Sequence, residues 1–360
     1  MQHWPDRRLL HLLNIEIPII QAPMAGSDSV ALARSVSSTG ALGSLGCGLL
    51  GADAVREAMR ALRHEMARPF NLNFFCHTME APDAAAIEKW KNFLRPHYER
   101  WGLEIETVAE SRLRLPFDEE MCAVVEDVKP EVVSFHFGLP APNLVERLKR
   151  HGIKILASAT SVREAKWLES CGCDAIIAQG IEAGGHRGMF LETNVATQAG
   201  LIALLPQVRD AVSVPVIAAG GIADARGIVA AFALGASGVQ LGTAYLFCPE
   251  ANVSPLYRRA LDQAGGNTTA LTNLFSGRPA RGILNRYLEE SGPMSAEAPA
   301  FPYAATLVAP LRAASERADS VDYMQLWAGQ AAGLAKPMPA NQLTRRLAAD
   351  ALNAWREKPE

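Results

Sequence analysis

The sequence is short of most features that would announce a macromolecular partner. Charged residues make up 20% of the 360-residue chain and sum to a formal net charge of −3. No basic stretch is interleaved with aromatics, which argues against nucleic acid as a partner. The six cysteines, Cys47, Cys76, Cys122, Cys171, Cys173 and Cys248, form no CxxC pair and no zinc spacing, so reduced thiols are expected. Cys171 and Cys173 stand one residue apart, but at an expected helix-to-strand junction where ordinary buried thiols are the simpler reading than a redox pair. No His/Asp/Glu cluster has metal-ligand spacing, so no metal is expected. No run reaches the roughly 18 apolar residues that a membrane helix needs. Residues 1–14 lack the apolar segment of a secretory leader. A cytoplasmic protein, monomeric or homodimeric and away from membranes, is the expectation.

What is present is a rhythm of short apolar runs and longer amphipathic ones. "IPIIQAPM", "ALGSLGCG", "FNLNFF", "EVVSFHFG", "IKILASAT", "CDAIIAQG", "VPVIAAGGI" and "GVQLGTAYLF" read as strands. Between them lie helical patterns such as "ADAVREAMRALRHEM", where Val55, Met59 and Leu62 share a face. The strands are nearly continuous in apolar, often β-branched residues, as suits strands covered on both faces. An open Rossmann-type sheet is the rival, but the GxGxxG fingerprint is missing after the first strand. Eight βα units in about 230 residues favour closure into an α/β fold, the TIM (β/α)8 barrel. A polar, tryptophan-bearing excursion at 77–115 interrupts the rhythm. The expected organisation is a barrel over 1–247, a small, mostly helical appendage over 248–320 on the substrate side, and a segment over 321–360 returning to the barrel. Its amphipathic stretch, with Leu343, Leu347, Leu352 and Trp355, either packs on the barrel or forms a dimer contact.

In such barrels the active site is built at the strands' C-terminal ends. Those ends here are rich in amides, hydroxyls and glycine: Gln21-Ala22-Pro23-Met24, Asn71 and Asn73, Ser134 and His136, Ser158 and Thr160, Gln179, Gly220-Gly221, and Gln240-Leu241-Gly242-Thr243. Buried polar groups without partners cost about 1–3 kcal/mol each, so a polar ligand is expected to gather them. The glycine loops at the seventh and eighth strands suit a phosphate. Gln21, Asn73, Gln179 and the backbone around Met24 suit the edge of a flat heteroaromatic ring, which needs donors and acceptors together. After the sixth strand, "AQGIEAGGHRGMF" holds His186 and Arg187 among glycines, whose presence implies a sharp turn or a close approach. His186 either projects over the ligand or bonds its own loop. His136 is either a substrate ligand or a satisfied core histidine. Arg187 either adds charge to the site or makes a surface salt bridge.

In combination, "QAPMAG", "SFHFGLP", "EAGGHRG", "AAGGIAD", "GVQLGTAYLFCPE" and "LWAGQAAGLA" resemble the nitronate monooxygenases, formerly 2-nitropropane dioxygenases, and their first class in particular. The resemblance spans about residues 17–334. It implies an FMN-containing TIM barrel that oxidises alkyl nitronates with O2 to a carbonyl compound and nitrite. It further implies that His186 is the catalytic histidine and His136 a second one in the active site. Ala22, Pro23, Met24, Asn73, Gln179, Gly184, Gly185, Gly220, Gly221, Gln240, Leu241, Gly242 and Thr243 would hold FMN, with Gly329 and Gln330 closing over it. Two departures stand out. Ser27 follows Ala-Gly where some members carry a second glycine, and Tyr303 is the one obvious substrate-binding candidate from the appendage. Enoyl-thioester reductases share the "GGH" loop, so an NAD(P)H-dependent flavin reductase of enoyl-thioesters or quinones is the alternative. A flavin-binding module without turnover is the other.

Overall fold

The computed structural model describes residues 4–64, 66–108, 113–265 and 268–357. Eight parallel strands pair in one ring: β1 (Ile19–Gln21), β2 (Gly43–Gly46), β3 (Phe70–Phe75), β4 (Val132–His136), β5 (Lys154–Ala159), β6 (Ala175–Gln179), β7 (Val216–Ala219) and β8 (Gly238–Leu241). Their order in the sheet is β1-β8-β7-β6-β5-β4-β3-β2. The remaining seam, between β1 and β2, is joined by a parallel bridge of Ile20 with Leu42. There the Gln21 amide donates to the Leu42 carbonyl at 2.9 Å and the Leu42 amide to that of Ile19 at 3.1 Å. The ring is therefore closed, as the eight βα repeats predict, and the strands are buried almost throughout because helices cover the outside.

The outer helices start where short polar side chains can satisfy free amides. Ser29 accepts from the Leu32 amide, Asp118 from Met121 and Ser161 from Glu164, each three residues on. The last helix, Ala340–Arg356, packs onto Val30–Ser37 and Ala225–Ala233. Leu343, Leu347 and Ala351 are buried there, so the amphipathic face is spent on the barrel within this chain. All six cysteines are free, with Cys171 exposed and Cys173 buried.

A second core stands over the barrel mouth and draws on two separate stretches. The 77–115 excursion contains the helix Ala84–Arg100, whose Trp90, Leu94 and Tyr98 pack with Leu307, Val308 and Leu311 of Ala304–Arg317. The Trp90 indole donates to the Ala304 carbonyl at 3.3 Å and the Tyr98 hydroxyl to that of Leu307 at 2.5 Å. The appended unit is thus assembled from the β3–β4 connection together with the chain after β8. It also carries β structure, the antiparallel pair Thr269–Thr272 and Ala280–Ile283, onto whose free edge the two-residue strand Gly185–His186 adds. The histidine loop is in this way a β bridge between the barrel and the second core.

Candidate active site

The strand ends and the second core enclose one cavity of about 520 Å³, within the usual range for a small-molecule site. Ala22, Pro23, Met24 and Asn73 line it from the first and third strands. Gln179, Gly184, Gly185 and His186 line it from the sixth, Gly220 and Gly221 from the seventh, and Gln240, Gly242 and Thr243 from the eighth. His136, Ser134 and Ser158 complete the wall. Segments far apart in sequence do meet at one rim.

His186 stands in an aromatic enclosure. The rings of Trp327, Phe301, Phe137 and Phe75 lie 5.5, 5.6, 6.0 and 6.4 Å from it. Its Nε2 is 2.9 Å from the Ser276 hydroxyl, and among the described residues no protein hydrogen bond engages Nδ1. Burial, then the nearby cations Arg114 and Arg278 and the neighbouring histidines, hold its pKa well below 6.5. The imidazole is accordingly neutral at physiological pH, able to accept a proton and carrying none to lend as charge. The positive potential of the chamber comes from the arginines.

His136 is fully engaged. Its Nε2 is 3.1 Å from the His186 carbonyl, which can only accept, so Nε2 carries the hydrogen. Nδ1 then accepts from the Ser158 hydroxyl at 3.1 Å. Burial pushes its pKa down to about 4. Of the two roles open to it, the geometry matches a satisfied histidine that positions His186 from behind, with neither ring nitrogen left for a ligand.

Several expected ligand contacts are redirected in the same way. Gln179 lines the cavity, but its Nε2 donates to the His186 carbonyl at 3.0 Å and its Oε1 accepts from the Gly188 amide at 2.8 Å. Its amide straps the histidine loop. Gln21 is wholly buried and does not line the cavity; its Oε1 accepts from the Ser44 amide and its Nε2 donates to the Ala22 carbonyl. Leu241 belongs to the barrel core. Gln330 turns its side chain to solvent and contributes its amide to the Glu182 carbonyl at 3.0 Å. Its neighbour Gly329 lines the cavity and donates to the Thr243 hydroxyl at 2.9 Å. Tyr303 lies outside the cavity lining, its hydroxyl donating to the Glu80 carbonyl at 2.6 Å. Asn73 remains on the wall with Nδ2 donating to Ser134.

Gly184 of the loop has a cause within the protein rather than in a ligand. A Cβ on Gly184 would sit 2.6 Å from the Ala328 carbonyl carbon, and one on Gly329 would sit 2.8 Å from the Glu182 oxygen. The two segments pass backbone against backbone, which only glycine allows. Arg187 is neither a surface ion pair nor a cavity charge. It is fully buried beneath the loop, and its guanidinium donates to the carbonyls of Gly180 and Gln179 and to Gln198.

Arg114, Ser276, Phe301 and Trp327 were not singled out in the sequence. The "RLRLPF" and "LFSGRP" stretches that hold Arg114 and Ser276 carry only weak local signals: an arginine between leucines, and a serine before a Gly-Arg-Pro turn. Their contribution depends on the second core folding over the barrel.

The buried neutral histidines make stability depend on pH. His77 and His136 titrate at about 4, while the unfolded chain takes up those protons near 6.5. Between these values the unfolded state binds more protons, so stability falls as pH falls, by about 1.4 kcal/mol per unit for each such histidine. Asp28 runs the other way. Burial raises its pKa to about 6 although its Oδ2 accepts from the Met24 and Gly46 amides at 2.7 Å. It offsets one proton against the three of His77, His136 and His186. The expected result is a lower urea midpoint at pH 5 than at pH 7, and an equal or higher one would contradict these assignments.

The sequence model of the nitronate monooxygenase family matches residues 6–350. The chain belongs to that family. A nitronate monooxygenase of Paraburkholderia phytofirmans is 44% identical over 346 residues, covering 95% of this chain and 94% of the relative. One from Pseudomonas aeruginosa is 40% identical over 343 residues, covering 94% and 97%. Among solved structures, the nitroalkane oxidase of Streptomyces ansochromogenes superposes with a TM-score of 0.87 at 39% identity, covering 96% of this chain and 98% of that one. FabK of Thermotoga maritima gives 0.73 at 28% identity, covering 99% and 98%. The chain thus shares its sequence with the nitronate monooxygenases and its fold with a nitroalkane oxidase of known structure. Among the described residues, no helix is long and apolar enough to cross a membrane, and no His/Cys/Asp/Glu cluster could hold a metal ion.

Proposed function

We propose that the protein is an FMN-dependent nitronate monooxygenase that oxidises alkyl nitronates with O2 to a carbonyl compound and nitrite. The observation that carries this is the placement of His186. A neutral imidazole with one ring nitrogen unengaged by the protein faces a polar cavity, in a chain whose relatives are named for this reaction.

The cavity suits the cofactor on its own evidence. The Gln240 side-chain oxygen Oε1 is buried without a hydrogen-bond partner at the cavity wall, so a donor there is wanting. Gly220 and Gly221 both adopt positive φ, 107° and 70°, in the turn that lines the cavity after β7, and glycine turns of this kind suit a phosphate. Gly221, Gly242 and Thr243 would hold that phosphate, and Ala22, Met24, Asn73 and Gln240 the ring. The chemistry a bound flavin supplies is electron transfer from nitronate to oxygen.

The chain's own residues do the rest. The aromatic rings around His186 lower the local polarity, which strengthens each electrostatic contact made there. His186 accepts the carbon-bound proton of a neutral nitroalkane, and toward a nitronate it offers a hydrogen bond. His136, Gln179 and Ser276 hold it in place. The six free cysteines suit a reducing compartment such as the cytoplasm.

The test is a purified preparation supplied with ethyl nitronate in air. Yellow protein that releases FMN on denaturation, together with nitrite formation, is the expected outcome. Rapid bleaching by NADH without oxygen, with no nitrite from the nitronate, would instead favour a flavin reductase.

A further inference from the structure

The 77–115 excursion has no part in the site expected from sequence, yet it delivers one side chain to the cavity. Arg114 lines the same chamber as His186. Its guanidinium carbon lies 5.9 Å from the centre of the Phe301 ring, which stands 5.6 Å from the imidazole of His186. Its backbone is pinned, because His77, itself buried, donates Nε2–H to the Arg114 carbonyl at 3.0 Å. His77 in turn meets Phe301 edge-on at 4.7 Å. The backbone of the arginine is thus fixed beside an aromatic wall over which its guanidinium extends.

Its charge is unbalanced. Among the described residues no carboxylate lies within ion-pair distance, and the one charge that acts on it is another cation, Arg312. The other arginines nearby already have partners, and Arg312 lines the cavity together with its own, Glu316. Arg312 stands 3.7 Å from Glu316, and Arg278 donates to the Met189 carbonyl at 2.7 Å while lying 3.9 Å over the Phe137 ring. A half-buried cation without a counter-charge is costly unless the ligand brings one.

We propose that Arg114 binds the two oxygens of the nitronate group and sets the preference for the anion over the neutral nitroalkane. The proposal rests on the function given above. The nitronate O–N–O unit is planar and anionic, and a guanidinium offers two parallel N–H donors in a plane, the geometry of a bidentate carboxylate contact. In this arrangement Arg114 holds the oxygens, while His186 serves the carbon end of the substrate.

The test uses the cofactor-loaded enzyme with R114Q, R114K and R312Q. Steady-state kinetics are measured on ethyl nitronate and nitroethane, and calorimetry on nitrate, a planar oxyanion that undergoes no turnover. R114Q is expected to raise the KM for ethyl nitronate by about 10- to 100-fold, with kcat and the nitroethane KM within about threefold. Nitrate affinity should fall at least about tenfold in parallel. R114K, which keeps the charge and loses the fork, should lie between, and R312Q should stay within about threefold of wild type. The proposal is overturned if R114Q leaves the nitronate KM within about threefold, if both substrates suffer alike, or if R312Q shows the larger loss. Should R114Q not fold, an R114K enzyme with unchanged nitronate KM and nitrate affinity overturns it as well. Wild-type nitrite release separates the two readings. If it is absent, the activity proposed above fails, and nitrate calorimetry still decides: binding lost in R114Q supports the anion site, and no binding by the wild type rejects it.

Discussion

Replacing His186 with Asn is expected to leave the protein folded and able to take up flavin, while nitrite release from neutral nitroethane drops by about two to four orders of magnitude. The fold survives because the position is held by its backbone. Residue 186 pairs with Ala280 across the small sheet, and its carbonyl receives hydrogens from Gln179 and His136. None of these contacts uses the imidazole. An asparagine amide can still reach toward Ser276, but it cannot take a proton from carbon. Ethyl nitronate is already deprotonated and should lose much less, so the ratio of the two activities carries the information. Equal rates of nitroethane turnover in the variant and the wild type would remove His186 from the proton transfer. The low pKa of His186 sets a companion expectation. Because the neutral form persists below pH 6.5, nitroalkane activity should not fall off at the pH where an exposed histidine protonates.

The barrel was legible in sequence because each βα unit is local. An apolar run of four to six residues, followed by an amphipathic stretch and a capping serine or aspartate, reads the same wherever it falls. The rim was legible for a related reason: Asn73, Gln179 and Gly221 had to lie at strand ends once the strands were placed. What each side chain does there was not legible. Gln21 and Gln179 share a residue type and a strand-terminal position with a flavin-edge contact. Both amides are instead consumed by backbone of the barrel and of the histidine loop, partners that appear only in three dimensions. His136 reads as a second active-site histidine until its two ring nitrogens are seen to be taken. The second core was hidden most of all. Trp90 and Tyr98 meet Leu307 and Val308 across more than two hundred residues, and no periodicity within the 77–115 stretch reports that pairing. Arg114 was missed for the same reason.

The glycine loop shows where local and long-range causes part. Its glycines suggest an approach to a ligand, and the cavity does lie on one side. On the other side lies the backbone of Ala328 and Gly329, too close for any Cβ on Gly184. What keeps the loop against the barrel is therefore the residue after the histidine. Arg187 is wholly buried, and its guanidinium donates to the Gly180 carbonyl at 2.6 Å and to the Gln179 carbonyl at 2.8 Å, where β6 ends. Its Nε and Nη2 both reach Gln198 Oε1, at 3.1 and 2.9 Å. Gln198 passes the connection to Thr160, and Thr160 to Glu164, whose other oxygen accepts from the amides of Phe190 and Leu191. The network thus ties the start of the loop to its end. Burial lowers the Arg187 pKa to about 10, which still leaves it charged at neutral pH. Arg187→Met keeps the length of the side chain and removes every donor, taking the guanidinium from the buried Gln179 carbonyl and the Gln198 oxygen and leaving the Gly180 carbonyl with the Ala183 amide alone. The expected cost is about 3–5 kcal/mol in urea unfolding, the range seen when one member of a buried charged contact is deleted. Nitrite release should fall with it, since His186 loses the anchor next to it in the chain. Arg187→Lys, a single point charge in place of a fork, should recover only part of both. A variant carrying methionine here with a loss under about 1 kcal/mol, a value typical of surface changes, would mean that backbone pairing with Ala280 and Arg281 suffices to hold the loop.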